Sequence, residues 1–81
     1  MIARNWQEQE GKLSKTFEFA DFDDAWDFMQ QVAVLFKKMD HHARWTNEYN
    51  QVSLELQTHD AGGVVTDKDR VLASAIDKLV K

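Results

Sequence analysis

The first segment of regular hydrophobic patterning lies near the start of the chain. Leu13, Phe17 and Phe19 fall on one side of the stretch that follows Gly11, and mostly polar residues fall on the other. Alternation of period two bounded by a glycine is typical of β-strands. We therefore predict a β-hairpin over residues 6–19, with Gly11 in its turn.

The pattern then changes to that of a helix. Apolar residues recur at steps of three and four over about five turns. The stripe consists of Phe22, Ala25, Trp26, Met29, Val32, Ala33, Phe36 and Met39. Asp21 suits the N-cap, and Lys37 and Lys38 suit the last turn, where cations complement the helix dipole. We expect Trp26, Phe28, Met29 and Phe36 to belong to the core.

The remainder of the chain predicts one more strand and one more helix. We interpret residues 42–47 as a turn region. Over residues 49–58, Val52, Leu54 and Leu56 then alternate with polar residues, which indicates a strand with one buried face. After a turn at Gly62 and Gly63, the last helix is predicted to begin with a capping box formed by Thr66 and Asp69. Its apolar stripe is Val71, Leu72, Ala75, Ile76, Leu79 and Val80.

The order β-β-α-β-α predicts an α+β fold, a small antiparallel sheet with both helices on one face. At 81 residues we expect a single domain, 1–81, that gains stability by association as a homodimer or homotetramer.

Composition then removes several classes of function. The formal net charge of −4 argues against direct nucleic-acid binding. The absence of Cys excludes thiolate sites and favours a cytoplasmic setting. The longest apolar run, residues 32–36, is far shorter than the roughly 20 residues that span a bilayer, so we expect a soluble protein without a membrane anchor.

Candidate chemistry is concentrated at the histidines, His41, His42 and His59. An imidazole exchanges protons near neutrality, because its unperturbed pKa is about 6.5. At the end of a helix, however, His41 and His42 would ordinarily bond the last carbonyls and face water. A metal site lacks a supporting pattern, since neighbours on a helix point about 100° apart. Proton transfer between imidazoles from different elements stays open, with Asp40, Asp60 or Asp69 available to orient one of them.

The run from Lys37 onward resembles the pterin-4a-carbinolamine dehydratase family. The matching motifs are Lys37-x3-His41-His42, Trp45, Tyr49-Asn50-x-Val52, Leu56-x-Thr58-His59-Asp60-x-Gly62-Gly63, Thr66-Asp67-x-Asp69, Leu72-Ala73 and Ile76-Asp77. Upstream, Trp6 and Phe17-x-Phe19-x-Asp21-Phe22-x-x-Ala25-x-x-Phe28 are also similar. With this resemblance, a functional role for the histidines becomes the favoured interpretation, in place of a solvated helix end.

The resemblance implies a dehydratase that acts on 4a-hydroxytetrahydropterin without a cofactor or metal. It implies that His41 and His59 are the general acid and base, that His42 contacts the substrate, and that Asp69 hydrogen-bonds within the site. Thr58 and Asp60 are expected to bind substrate beside them. A functional link to an aromatic amino acid hydroxylase is also implied. The alternative is a non-catalytic dimerisation or regulatory protein of the same fold.

Three positions depart from the family pattern. Ala43 stands where the family usually has Pro, Cys or Ser, so we expect less rigid presentation of the two imidazoles. The segment from Gly62 to Thr66 is one residue longer than is common. Only five residues precede Trp6, where members commonly carry a helix, so we expect that helix to be missing.

Overall fold

The first hairpin and the two helices form where the hydrophobic pattern predicts them. The computed structural model describes residues 6–58 and 62–80. Its elements are β1 (Gln7–Gln9), β2 (Lys12–Glu18), α1 (Phe22–Met39), β3 (Arg44–Glu48), β4 (Gln51–Leu56), α2 (Asp67–Asp77) and a final 3-10 turn (Lys78–Val80). The four strands form one antiparallel sheet in the order β1-β2-β4-β3. The α+β class is confirmed.

The predicted order β-β-α-β-α was wrong in one element, because residues 44–48 form strand β3 and not a turn. Only Trp45 of this edge strand packs against the core as a hydrophobic residue, so its apolar signal is weak. Tyr49 and Asn50 make the turn into β4 instead of beginning a strand. The Asn47 side chain bonds the carbonyls of Tyr49 and Gln51, which closes that turn.

Both helices pack on one face of the sheet. From the strands, the core takes Leu13, Phe17, Val52, Leu54 and Leu56. From the helices, it takes Ala25, Phe28, Val32, Phe36, Leu72, Ala73 and Ile76. The Asp21 carboxylate accepts the Asp24 amide at 2.9 Å, as the N-cap prediction requires. The helices therefore anchor one face of β2 and β4 and leave the other face uncovered.

The helical stripes are wider than the core that they cover. Trp26, predicted to be core, is 48% exposed, and Phe22 of the same stripe is 42% exposed. Val71 and Val80 of the second stripe are also exposed. The core prediction was wrong for Trp26 because periodicity shows which side of a helix is apolar, while a neighbouring element decides how much of that side is covered. In residues 6–58 and 62–80, neither helix has the length and apolar character needed to cross a membrane.

Candidate functional site

The end of α1 directs the histidine pair. Asp40, the C-cap, adopts a left-handed conformation with φ of 50°, and its amide bonds the carbonyls of Lys37 and Phe36. The His41 amide also bonds the Phe36 carbonyl, at 3.1 Å. This αL end satisfies orphan carbonyls and turns the chain sharply toward β3. As a result His41 points inward, whereas the helix-end interpretation had both imidazoles facing water.

The buried partner of His41 is Asp69. The Asp69 side chain is fully buried, His41 is 9% exposed, and Nε2 of the imidazole lies 2.6 Å from Oδ1 of the carboxylate. Asp69 occupies the third position of α2, where the predicted capping box is confirmed and the carboxylate accepts the Thr66 amide at 2.9 Å. The same side chain therefore starts a helix and holds a histidine 28 positions away.

Two threonine hydroxyls complete this buried group. The Thr58 hydroxyl donates to Asp69 Oδ2 at 2.9 Å, and the Thr58 and Thr66 hydroxyl oxygens are 2.7 Å apart. Since a hydroxyl has one proton and an ionised carboxylate only accepts, Thr58 gives its proton to Asp69 and Thr66 must donate to Thr58. Oδ2 then accepts two hydrogen bonds and Oδ1 accepts the one from His41. This arrangement leaves Nδ1 of His41 as the ring nitrogen that Asp69 does not engage.

His42 lies in different surroundings from its neighbour. It is exposed, and its ring centroid is 6.0 Å from that of buried Phe36. It lines a cavity of about 370 Å³ together with Lys12, Ala43, Arg44, Glu55 and Gln57. The cavity opens where the start of β2, the start of β3 and the end of β4 meet. The two adjacent histidines thus divide into a buried imidazole fixed by a carboxylate and an accessible one at a cavity.

The structure brings together three of the expected site residues, His41, Thr58 and Asp69, while His42 lines the neighbouring cavity. His59 and Asp60, for which catalytic and substrate-binding roles are implied, lie outside the described residues. Thr66 was expected only as a helix cap, and its hydroxyl bond to Thr58 was missed; the capping-box motif was the signal that could have drawn attention to it. Within residues 6–58 and 62–80, no cluster of three metal-ligating side chains occurs.

Comparison with known proteins assigns this arrangement to a family. The model of the family described as pterin 4 alpha carbinolamine dehydratase matches residues 1–79. The chain belongs to this family. The match covers the hairpin, both helices and the His41–Asp69 pair, and the resemblance noted from the motifs is thereby confirmed.

Individual relatives are similar over most of their length. A protein from a Synechococcus species, provisionally named pterin-4-alpha-carbinolamine dehydratase, is 48% identical over 93% of this chain and 80% of its own. A Prochlorococcus marinus protein with the same provisional name is 46% identical over 91% and 76%. Among solved structures, a protein from Brucella melitensis described as a transcriptional coactivator/pterin dehydratase has a TM-score of 0.92 at 33% identity, over 98% of this chain and 85% of its own.

A second solved structure shares the fold at lower identity. It is described as a pterin dehydratase-like protein that is a RuBisCO assembly factor in the alpha-carboxysome. Its TM-score is 0.78 at 23% identity, over 91% of this chain and 87% of that one.

Proposed function

We propose that this protein dehydrates 4a-hydroxytetrahydropterin to quinonoid dihydropterin in tetrahydropterin recycling. The observation that carries the proposal is the buried hydrogen bond from His41 to Asp69, next to exposed His42, in a chain of the pterin dehydratase family. A carboxylate bonded to one ring nitrogen fixes the tautomer and orientation of an imidazole and leaves the other nitrogen available. An imidazole held in one tautomer and orientation is suited to proton transfer through its other nitrogen, which is Nδ1 in His41.

The reaction balances with proton transfers alone. The C4a–O bond breaks, and the hydroxyl takes a proton from a general acid and leaves as water. The N5–H bond also breaks: its proton passes to a general base and its electron pair forms the N5=C4a double bond. We assign the acid and base to His41 and His59, and substrate contacts to His42, Thr58 and Asp60. Asp69 orients His41.

Stopped-flow measurement of carbinolamine dehydration tests this proposal. Wild-type protein should accelerate the reaction over its spontaneous rate, and His41→Ala and His59→Ala should each lower the rate on the order of 10²-fold, the usual contribution of one acid or base. Lys38→Gln is the matched control, because Lys38 is an exposed side chain in the last turn of α1 and should leave the rate unchanged. An absence of acceleration by the wild-type protein would defeat the proposal.

The surface of α1 favours a second candidate function, that of a non-catalytic interaction protein. Phe22 and Trp26 are both exposed and stack with their ring centroids 6.3 Å apart at 14°. Adjacent exposed aromatic residues mark surfaces that other proteins contact. The coactivator description of the Brucella relative points in the same direction. Self-association into homodimers or homotetramers would also use such a surface. We further propose that the protein is cytoplasmic and is linked functionally to an aromatic amino acid hydroxylase.

One variant separates the two candidates. Trp26→Glu should abolish partner binding or self-association, measured by light scattering and pull-down, while the dehydration rate per subunit stays at the wild-type value. An interaction protein without enzymatic function would instead show no acceleration in either form. Full activity with unchanged association would remove the case for this surface.

A further inference from the structure

The cavity beside His42 has a polar and locally basic lining. Lys12 and Arg44 contribute two cations, against one carboxylate from Glu55. Gln57 adds an amide that both donates and accepts hydrogen bonds. The chain as a whole has a formal net charge of −4, so the local positive charge of this cavity is opposite in sign to that of the protein. Its volume of about 370 Å³ lies in the range of small-molecule sites.

Sheet register explains how these side chains meet. Arg44 on β3 and Ser14 on β2 both lie opposite Glu55 on β4. Side chains two positions apart in a strand share a face, so Lys12 joins Ser14 and Gln57 continues from Glu55. This is the face that the helices leave uncovered. Strands β2 and β3 therefore place both cations at the cavity that His42 lines.

Arg44 is the cation with unused binding capacity. In the described parts of the chain, its guanidinium makes no hydrogen bond or ion pair, even though Glu55 faces it across the sheet. Glu55 instead lies 3.9 Å from Lys12, with the two side chains 40% and 39% exposed. An ion pair that is so long and so exposed is weak, so Lys12 can exchange it for another anion. A planar guanidinium binds carboxylate and phosphate groups through two parallel hydrogen bonds.

We propose that Arg44 and Lys12 form a subsite for an anionic substituent of the substrate, a phosphate ester or a carboxylate on the pterin side chain. The proposal rests on the proposed function, because His42 at the same cavity would contact the pterin ring. It narrows the substrate class from any pterin carbinolamine to those with a negatively charged side chain.

Binding of stable pterins by titration calorimetry tests the subsite. Neopterin and its monophosphate ester differ by the phosphate, and pterin-6-carboxylate and folate report on carboxylates. At low salt we expect at least one anionic ligand to bind about tenfold tighter than neopterin, a preference that salt weakens. Preference for the monophosphate identifies a phosphate ester, and preference for folate identifies a side-chain carboxylate.

Variants of the two cations decide the assignment. Arg44→Gln should abolish the preference and Lys12→Gln should reduce it about threefold, as expected for an exposed lysine. Arg70→Gln is the matched control, because Arg70 is also exposed but pairs with Glu8 at 2.9 Å and does not line the cavity. A preference that survives Arg44→Gln, or equal binding of all four ligands, would overturn the subsite.

The outcomes also separate this inference from the proposed function. Accelerated dehydration of a neutral carbinolamine without any anionic preference removes the subsite alone. An absence of both acceleration and pterin binding removes the dehydratase proposal, and the subsite falls with it.

Discussion

Replacing Asp69 with asparagine tests the buried network most directly. Asparagine has nearly the same shape as aspartate but presents one acceptor oxygen and one donor amide. If its oxygen accepts the Thr58 and Thr66 donors as Oδ2 does now, its amide group faces His41 Nε2. Two donors would then meet unless His41 moves its proton from Nε2 to Nδ1. The substitution therefore forces either a clash or the opposite tautomer.

The expected cost follows from the contacts that are lost. A hydrogen bond to a charged group contributes about 1.5–3 kcal/mol and a neutral one about 0.5–1.5. Asp69 is fully buried and accepts three such bonds, two of which keep neutral counterparts in the variant. We expect Asp69→Asn to lower the free energy of unfolding by about 2–3 kcal/mol. A domain of this size has about 4–12 kcal/mol in total, so the variant should still fold.

Two measurements on the same samples check the reasoning. Urea denaturation gives the change in the free energy of unfolding, and stopped-flow dehydration gives the rate, which should fall on the order of 10²-fold because Nδ1 of His41 then carries the proton. Asp67→Asn is the matched control: Asp67 begins the same helix but is exposed, and its loss should cost at most about 0.5 kcal/mol through the helix dipole. Equal costs at the two positions would refute the buried network, and an unchanged rate would refute the role of the tautomer.

Four further substitutions test the backbone and packing around the site. Gly11→Ala should cost more than about 2 kcal/mol, because its Cβ would lie 2.7 Å from the Gly63 carbonyl oxygen. A Cβ at Gly62 would meet no atom of the described residues within 4 Å, so Gly62→Ala should cost about 1 kcal/mol for positive φ alone, and thermal unfolding compares the two variants. Ser74→Ala should be neutral or stabilising by up to about 1 kcal/mol in urea melts, since the buried hydroxyl has no partner within the described residues. Ala43→Pro should raise the free energy of unfolding by about 0.4–1 kcal/mol, because Ala43 lies outside β3 and proline restricts the unfolded chain; a lower melting temperature would contradict this.

Much of the fold could be predicted from local patterns. The hairpin turn, the Asp21 cap and strand β4 each have a local physical cause, an alternation or a cap, that the sequence displays. Strand β3 lacked such a cause, because an edge strand with one apolar contact needs its neighbour to define it. The exposure of Trp26 was unpredictable for the same reason, since it depends on which element covers the helix.

The sequence singled out candidate site residues but not their geometry. Motif spacing indicated His41, His42 and Asp69, yet it could not show that adjacent imidazoles would enter different environments. The two environments differ because Asp40, the C-cap, adopts a left-handed conformation and ends α1 one residue before the histidine pair. Arg44 was overlooked because a lone arginine in a presumed turn carries no signal. Its position opposite Glu55 exists only once β3 pairs with β4.

The pairing of β3 also explains why the proposed anion subsite lies at this cavity and not in the buried network. In the buried network the polar groups bond to one another: Asp69 accepts hydrogen bonds from His41, Thr58 and the Thr66 amide. Changing Asp69 therefore alters the stability of the protein and the tautomer of His41 together. At the cavity, by contrast, the Arg44 guanidinium makes no hydrogen bond or ion pair within the described residues. Substitutions at Arg44 should therefore change which pterin binds without the loss of stability that accompanies any change at Asp69.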